Sequence, residues 1–185
     1  LKRMLAYSTI SHVGFLFLGL VGGSFNGLSS AMFYTVVYVL MSLGAFAVIL
    51  LLSREGFESD EIDDFKGLAK RHPWYAGMMG LLMFGMAGLP PTAGFYAKFM
   101  VLQAVVDAGY LWLAVYAVLL SVVGAYYYLR IIKVMFFDEP ASQERVRGDG
   151  VIEGVLTMNS LSVLLLGIFP GPLMSICVYA IQSFI

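Results

Sequence analysis

The sequence predicts an all-α polytopic membrane protein with about five transmembrane helices, one of which is broken at Pro90-Pro91. Of the 185 residues, 60% are hydrophobic and only 12% are charged, whereas a soluble domain carries about 25% charged residues. The mean hydropathy is +0.86. Apolar segments also recur at roughly the 20-residue length that a helix needs to span a bilayer. We interpret residues 1–185 as a single membrane domain, and the start at Leu1 without an initiator methionine leads us to expect the C-terminal part of a longer subunit.

Five apolar segments define the expected crossings, at about 5–22, 30–52, 73–106, 110–137 and 151–170. The third segment is too long for one simple span and contains Gly88-Leu89-Pro90-Pro91. Because proline lacks a backbone N–H and clashes with the preceding turn, we expect a break at 89–91 that divides this segment into two half-helices. Pro170-Gly171-Pro172 ends the fifth segment, so 171–185 should form a short C-terminal helix, either interfacial or the end of a bent span.

Basic residues are distributed very unevenly over the expected loops and helix ends. If the segments alternate in direction, ten of the 11 basic residues lie on one side and none on the other. The positive-inside rule assigns that charged side to the cytoplasm, or to the matrix of a mitochondrion. We therefore expect an integral protein of a bacterial inner membrane, or of an organelle inner membrane. The ten are Lys2, Arg3, Arg54, Lys66, Lys70, Arg71, Arg130, Lys133, Arg145 and Arg147.

Two linkers lie on the charged side. The first, 53–72, is rich in acidic residues, and the spacing of Ile62, Phe65 and Leu68 predicts a short amphipathic helix along the membrane surface. The second, 138–150, is polar and contains glycine, so we expect a mobile loop there.

Lys98 is the eleventh basic residue and the only one inside an apolar run, Gly94–Leu102, that follows the two prolines. An ammonium in hydrocarbon costs at least ~2.5–3.5 kcal/mol on insertion scales. A buried lysine can also exist as the neutral amine, so it can both hold and release a proton. Transporters place ionisable groups beside broken helices at their midplane sites. We interpret Lys98 as a proton-relay group at a break formed by Pro90, Pro91 and Gly94; the alternative is an ordinary proline kink with a lysine that reaches the interface.

Polar side chains also cluster on single faces of the first two predicted helices. Ser8, Ser11 and His12 follow i, i+3, i+4 spacing, and Phe15 continues that face. In the second helix, Tyr34, Tyr38 and Ser42 recur every four residues. We interpret His12, Tyr34 and Tyr38 as a possible polar path for protons, with His12 suited by its titration near neutral pH. The alternative is interhelical hydrogen bonding, worth ~0.6 kcal/mol per contact in membranes.

Other polar residues have simpler interpretations. Asp107 is nine residues beyond Lys98 and on nearly the opposite face, so a solvated helix terminus is favoured over an ion pair. Arg130 and Lys133 follow three tyrosines, 126–128, which is typical of an interfacial aromatic belt. The sequence contains a single cysteine, Cys177, which lies in an apolar run, so a disulfide or a cysteine-based metal site within the chain is excluded. We find no metal, cofactor or redox motif.

Several motifs resemble the antiporter-like membrane subunits of respiratory complex I. The segment 2–14, KRMLAYSTISHVG, is similar to their KR-LAYSS/T-I-S/G-H/Q-x-G signature, and 88–98, GLPPTAGFYAK, is similar to G-[LI]-P-P-x-x-G-F-x-x-K. YYYLR at 126–130 completes the match in the next helix. Tyr34, Tyr38 and Ser42 stand where the two larger antiporter-like subunits tend to place His and Lys. The chain therefore most resembles the N-type subunit, the one nearest the quinone-binding arm.

The resemblance implies part of the antiporter-like inverted-repeat fold, in a proton-translocating subunit of a redox-driven NADH-quinone oxidoreductase. It implies that Lys98 is the proton-relay group of the second half-channel. This chain would carry no redox centre, because NADH, FMN, iron-sulfur clusters and quinone would be bound by partner subunits. The implied partners are the N-terminal half of the same subunit, a second antiporter-like subunit, the small membrane subunits toward the quinone site, and lipid; no nucleic acid is expected.

Three alternatives remain at this stage. The chain could belong to a multisubunit cation/proton antiporter, which would copurify only with other antiporter subunits. It could belong to the membrane arm of a hydrogenase or another ferredoxin-linked oxidoreductase. It could also be a structural scaffold in which Lys98 only pairs with a neighbouring carboxylate.

Overall fold

The computed structural model describes residues 1–53, 61–140 and 150–184. Its helices are α1 (Lys2–Val21), α2 (Phe25–Ser53), α3 (Leu68–Arg71), α4 (Pro73–Ala87), α5 (Ala93–Asp107), α6 (Leu111–Phe137), α7 (Gly150–Ile168) and α8 (Gly171–Gln182), with a 3₁₀ turn at Asp63–Phe65. No strand occurs in the described ranges, so the predicted all-α class is confirmed. α2 begins at Phe25 rather than at the predicted residue 30, because the Gly22-Gly23 turn is tighter than we expected.

α1 and α2 run in opposite directions. Gly19, near the end of α1, faces Ala31 near the start of α2, whereas Thr9 is hydrogen-bonded to Tyr38 farther along α2. Within the described residues, α1, α2, α6 and α7 are each long and apolar enough to cross a membrane. α4 and α5 have 15 residues each, too few for one crossing apiece, and together they form one broken crossing. The prediction of about five crossings with one broken helix is confirmed.

The break lies between Ala87 and Ala93. α4 ends at Gly88, which is left-handed at φ 80°, a conformation that residues with a Cβ rarely adopt. Pro90 and Pro91 occupy the turn, and Thr92 leads into α5 with an extended backbone. The prolines therefore lie where the chain has already left the α-helical hydrogen-bond pattern, and both half-helices keep their own internal bonds.

Glycine allows the backbone to fold closely around the break. A Cβ on Gly94 would overlap the carbonyl oxygen of Gly85, so α4 and α5 touch backbone to backbone. A Cβ on Gly167 would overlap the backbone between Pro91 and Ala93, so α7 presses on the same turn from another side. The broken segment is thus enclosed by protein, which is the condition under which irregular backbone is tolerated at membrane depth.

The core of the bundle lies along α2 and α4, with α5 packed on α2 and α6 packed on α4. Its largest fully buried side chains include Phe33, Met41, Met79, Met83 and Ile131. Methionine is flexible enough to fill the irregular gaps between helices that cross at different angles. The outer face of α6 is apolar and exposed, as expected for a surface that faces lipid or another membrane segment.

The first linker differs from the single amphipathic helix predicted from Ile62, Phe65 and Leu68. It forms the 3₁₀ turn and the one-turn helix α3, separated by Gly67 at φ 60°. Phe65 and Leu68 are fully buried, and the N–H of Gly67 donates to the Val134 carbonyl of α6 at 3.1 Å. The prediction of a surface helix was wrong because these apolar residues have a protein partner. Residues 54–60 lie outside the described residues.

The C-terminal region favours the bent-span alternative over an interfacial helix. α7 ends beside the break, since Gly167 contacts the turn at Pro91, and α8 then packs against α2 with Cys177 buried. An interfacial helix would not begin at the depth of the break. In the second predicted linker, Asp138 forms an ion pair with Lys133 at 3.1 Å. Residues 141–149 of this linker lie outside the described residues.

Candidate functional site: a lysine at the helix break

Lys98 lies in the second turn of α5, and its side chain extends back toward the break. The Nζ atom donates hydrogen bonds to the carbonyl oxygens of Met86 (3.2 Å) and Ala87 (3.0 Å) and to Oγ of Ser121 in α6 (2.8 Å). Ser121 is about ten residues from the start of α6, or ~15 Å along the helix axis. The amine is therefore held well inside the bundle and does not reach an interface.

The break creates the acceptors that hold this amine. The last carbonyls of any helix lack an intrahelical partner, and the C-terminal end of a helix carries partial negative charge. In α4 those carbonyls belong to Met86 and Ala87, and they point at Lys98 because the chain turns away after Gly88. A Cβ on Gly88 would lie 2.8 Å from Cδ of Lys98, so glycine also leaves space for the lysine stem.

Phe15 of α1 covers the remaining side of the amine. Its ring centroid is 5.3 Å from Nζ of Lys98, within the range of a cation–π contact. The ring also stacks on Tyr34 of α2 at 5.8 Å and 8°. Phe15 therefore connects the lysine to the aromatic groups of α2.

His12 is the centre of a second polar group, about one turn from Phe15. Its Nδ1 is 2.7 Å from the Tyr34 hydroxyl and its Nε2 is 3.1 Å from the Tyr128 hydroxyl. Tyr128 is also hydrogen-bonded to Ser8. A neutral imidazole has one donor and one acceptor nitrogen, so this chain of groups can be oriented in either direction. It can pass a proton when its hydroxyls and the ring reorient.

Tyr38 packs against the imidazole of His12, and its hydroxyl forms its hydrogen bond elsewhere. Its ring stacks on His12 at 4.5 Å and 23°, and its hydroxyl donates to Oγ1 of Thr9 at 2.8 Å. His12 and Tyr34 are each only 3% exposed, so the hydrogen bonds of the ring are not competing with bulk water. Stacking on Tyr38 fixes the plane of the imidazole. Hydrogen bonds to Tyr34 and Tyr128 fix the directions of its two nitrogens.

A cavity of about 330 Å³ joins the lysine to the histidine. A water molecule takes ~30 Å³ in the liquid, so the cavity has room for several. Among the described residues no carboxylate lines it. Between α1 and α6 the cavity opens sideways, beside the exposed side chains of Tyr7 and Tyr127. Its polar lining includes Ser8, Ser11, His12, Lys98, Ser121 and Tyr128.

A second cavity, of about 250 Å³, lies on the other side of Lys98 and is almost entirely apolar. Phe99, Leu102 and Val118 line it between α5 and α6, and Phe15 and the residues of the break complete its wall. Lys98 and Ser121 border both cavities. The amine therefore lies between a polar space on one side and an apolar space on the other.

The structure brings His12, Tyr34 and Tyr38 together, as their spacing suggested, and places Ser11 at the cavity wall. It does not bring Ser42 into this group; the Ser42 hydroxyl is buried elsewhere and has no hydrogen-bond partner among the described residues. Asp107 is exposed at the end of α5, as expected for a solvated terminus. The proton-relay role of Lys98 remains a prediction.

Two members of the site were missed by sequence reasoning. Tyr128 was interpreted as part of an interfacial belt, yet only its neighbours fit that description: Tyr126 is 63% exposed, whereas Tyr128 is 5% exposed. Ser121 was not considered. Its position could have indicated a role, because Ser121 is the one non-aromatic polar residue in the apolar run 111–125.

Known proteins are similar to this chain in sequence and in fold. The transmembrane family "NADH:quinone oxidoreductase/Mrp antiporter" matches residues 1–124. A relative from Acidithiobacillus ferrooxidans, NADH-quinone oxidoreductase subunit N, is 61% identical over 186 residues, covering 100% of this chain and 39% of that protein. A relative of the same name from Thiobacillus denitrificans is also 61% identical, over 99% of this chain and 38% of its own length. The chain therefore spans about two fifths of these relatives.

Solved structures agree with the sequence comparison. A chain of respiratory complex I from Thermus thermophilus superposes with a TM-score of 0.80 at 29% identity, covering 95% of this chain and 39% of that one. A chain of the Mrp complex from Dietzia sp. superposes with a TM-score of 0.86 at 21% identity, covering 97% and 42%, which shows the fold alone. The relatives' name confirms the resemblance to the N-type subunit. The chain belongs to the NADH:quinone oxidoreductase/Mrp antiporter transmembrane family.

Proposed function

We propose that this chain is a proton-translocating part of the membrane arm of a redox-driven NADH-quinone oxidoreductase, with Lys98 as the proton-relay group of the second half-channel. The observation that carries the proposal is the setting of the amine. It is held by two backbone carbonyls and one hydroxyl, at the edge of a cavity large enough for water. The relatives named NADH-quinone oxidoreductase subunit N support the assignment to that class of complex.

In this proposal the neutral amine of Lys98 takes one proton from water in the polar cavity, and the ammonium later releases one toward the opposite side. The hydroxyls of Tyr34 and Tyr128 and the ring of His12 extend the hydrogen-bonded path from that cavity. Backbone carbonyls at the break stabilise the charged form without adding a carboxylate that would hold the proton permanently. The lysine is thus bound firmly while its proton stays exchangeable.

The geometry also supports a direction of transfer. The polar cavity opens sideways between α1 and α6, where a further part of a longer subunit would continue the path. The apolar cavity extends from the level of Lys98 by about one helical turn toward the side that lacks basic residues, as far as Leu102 of α5 and Val118 of α6. Protons would enter through the polar cavity and leave toward that opposite side when the apolar cavity fills with water. Apolar segments of a proton or ion path can gate by dewetting, and the apolar lining of this cavity is compatible with such a gate.

The redox groups of the complex would lie in partner subunits. NADH, FMN, iron-sulfur clusters and quinone would be bound there, and quinone reduction would drive transfer at Lys98 through electrostatic or conformational coupling. The partners would include a second antiporter-like subunit, the small membrane subunits toward the quinone site, and lipid. The charged loops would face the cytoplasm of a bacterium, or the matrix of an organelle.

The test is Lys98→Ala in the intact complex, with Lys70→Ala as the matched control. Lys70 forms an exposed ion pair with Glu139 at 2.8 Å and lies far from the cavity, so its loss should change pumping little. We expect Lys98→Ala to abolish or strongly reduce the number of protons pumped per electron, measured in sealed membrane vesicles. A normal ratio in a fully assembled Lys98→Ala complex would refute the proposal.

Two other assignments make different predictions. A cation/proton antiporter subunit is compatible with the shared fold of the Mrp complex, and it would copurify with antiporter subunits and without redox subunits. A scaffold role requires Lys98 to be paired with a carboxylate, but the hydrogen-bond partners of its Nζ among the described residues are carbonyls and a hydroxyl. Mass spectrometry of the purified assembly separates the first alternative from our proposal.

A further inference from the structure

The three acceptors around Lys98 match the three donors of its ammonium. A lysine ammonium has three N–H donors and no acceptor. The carbonyls of Met86 and Ala87 accept two of these hydrogen bonds, and Oγ of Ser121 accepts the third. The charged form is therefore fully hydrogen-bonded by protein, which a buried charge requires.

The neutral amine has a different requirement. After loss of one proton, Nζ keeps two donors and gains a lone pair that needs a donor. The backbone carbonyls can only accept, so neither can serve the lone pair. A serine hydroxyl both donates and accepts, and its hydrogen rotates freely to suit its partner. Ser121 is thus the one member of the trio that can follow the change of protonation state.

We propose that Ser121 is a positioning residue that keeps Lys98 fully hydrogen-bonded in both protonation states, through a hydroxyl that accepts from the ammonium and donates to the amine. The switch requires rotation of one O–H bond and no movement of a helix. This role rests on the proposed function, since it concerns the lysine that would relay protons. It would let the proton exchange without leaving an unsatisfied donor or lone pair on Nζ of Lys98 at either stage.

The hydroxyl of Ser121 is used differently from those of three hydroxyl residues in α2. Ser29, Ser30 and Thr35 donate to the carbonyl four residues earlier in their own helix, at 3.0, 2.7 and 2.8 Å. That local bond is the ordinary arrangement for serine and threonine inside a helix. Ser121 instead contacts a side chain from another helix at 2.8 Å.

Other titratable groups near the amine are tyrosines and a histidine. His12 and Tyr7 line the cavity from α1, and Tyr127 and Tyr128 line it from α6. α4 contributes carbonyls, and Tyr34 and Tyr38 of α2 lie beyond His12. α7 contributes no lining residue, and Asp107 on α5 itself lies at the exposed helix end. Hydrogen bonds to Ser121 and the carbonyls therefore have a large effect on how tightly the proton is held.

Ser121→Ala should make Lys98 hold its proton less tightly, while the fold of the bundle stays largely unchanged. Hydrogen bonds to a charged group are roughly twice as strong as neutral ones, so the ammonium loses more than the amine does. We expect the pH profile of proton pumping to move to lower pH by about one unit. Ser121→Thr keeps a hydroxyl and should restore the wild-type profile.

The experiment uses the intact NADH-quinone oxidoreductase, assembled with the full-length subunit, and measures protons pumped per electron across a range of pH. Ser30→Ala is the matched control, because Ser30 is a buried serine whose hydroxyl donates to the Asn26 carbonyl of its own helix. If Ser121→Ala fails to assemble, Ser121→Cys provides a similar volume with a much weaker hydrogen bond. The expected result is a shifted profile for Ser121→Ala or Ser121→Cys and unshifted profiles for Ser121→Thr and Ser30→Ala.

Two results would overturn the inference, and they differ from each other. If Lys98→Ala abolishes pumping while Ser121→Ala keeps the wild-type profile, the relay stands and the role of Ser121 is wrong. If Lys98→Ala leaves the pumping ratio unchanged, the proposed function itself fails, and the role of Ser121 fails with it.

Discussion

Substitution of Gly94 tests whether close backbone contact at the break holds the two half-helices together. A Cβ at this position would overlap the carbonyl oxygen of Gly85, with the Met41 sulfur also within 3.3 Å. A flexible side chain could move aside, but the obstacle is backbone, so α4 and α5 must separate. Overpacking of this kind typically costs ~1–3 kcal/mol. We expect Gly94→Ala to destabilise the bundle by at least the middle of that range.

Gly77, on the other half-helix α4, supplies the control. A Cβ there would meet nothing within 4 Å, so Gly77→Ala adds a methyl group without a clash. Alanine is more favourable than glycine inside a helix by up to ~1 kcal/mol. The two substitutions are chemically identical, and they should change stability in opposite directions by a total of about 2 kcal/mol or more.

The assay heats detergent-solubilised complexes that carry each variant and follows the fraction of the subunit that stays soluble. For a domain of this size, 1 kcal/mol corresponds to a change of about 2–4 °C in the midpoint, so the two variants should differ by roughly 4–8 °C. Equal midpoints for Gly94→Ala and Gly77→Ala would refute the reasoning, because they would mean that the contact between Gly85 and Gly94 is not tight.

Two further predictions concern the histidine group and the first linker. Tyr128→Phe removes the hydroxyl that contacts His12 and Ser8, and it should slow proton pumping in the intact complex about fivefold, the kinetic equivalent of ~1 kcal/mol; Tyr126→Phe, on the exposed face, should leave the rate unchanged. Gly67→Ala places a Cβ at φ 60° and against the backbone of Pro140, so it should lower the thermal midpoint by about 2–8 °C, since the left-handed conformation alone costs ~1–2 kcal/mol. A Tyr128→Phe rate equal to wild type, or an unchanged midpoint for Gly67→Ala, would contradict these expectations.

The sequence was sufficient for the parts of the site that depend on local geometry. Helical periodicity places side chains four residues apart on one face, so Tyr34 and Tyr38 could be assigned to the same side of α2 and His12 to a face of α1. Proline chemistry located the break between the half-helices. Each of these inferences needs only the backbone rules of one element, and the structure has the break and the three residues in the expected places.

The sequence was not sufficient where two distant helices must meet. Tyr128 reaches His12 across 116 positions, and that contact depends on how α6 is rotated and tilted against α1. From sequence, a tyrosine near basic residues is typical of the membrane interface. Ser121 had an equally ordinary alternative, a hydrogen bond to its own helix. The predicted surface helix that contains Phe65 and Leu68 was wrong for the same reason, because an amphipathic pattern does not say whether lipid or protein covers the apolar face.

The position of Lys98 follows from the break and is not an independent feature. In an α-helix the Cα–Cβ bond tilts toward the N-terminus, so a long side chain in the second turn of α5 points back at the residues before Ala93. Those residues include the last carbonyls of α4, which lack helical partners because the chain turns at Gly88. One local event, the interruption of a helix by two prolines, therefore produces both the unpaired acceptors and the direction from which an amine can reach them. A lysine one residue earlier or later would be rotated by about 100° around α5 and would face away from these carbonyls.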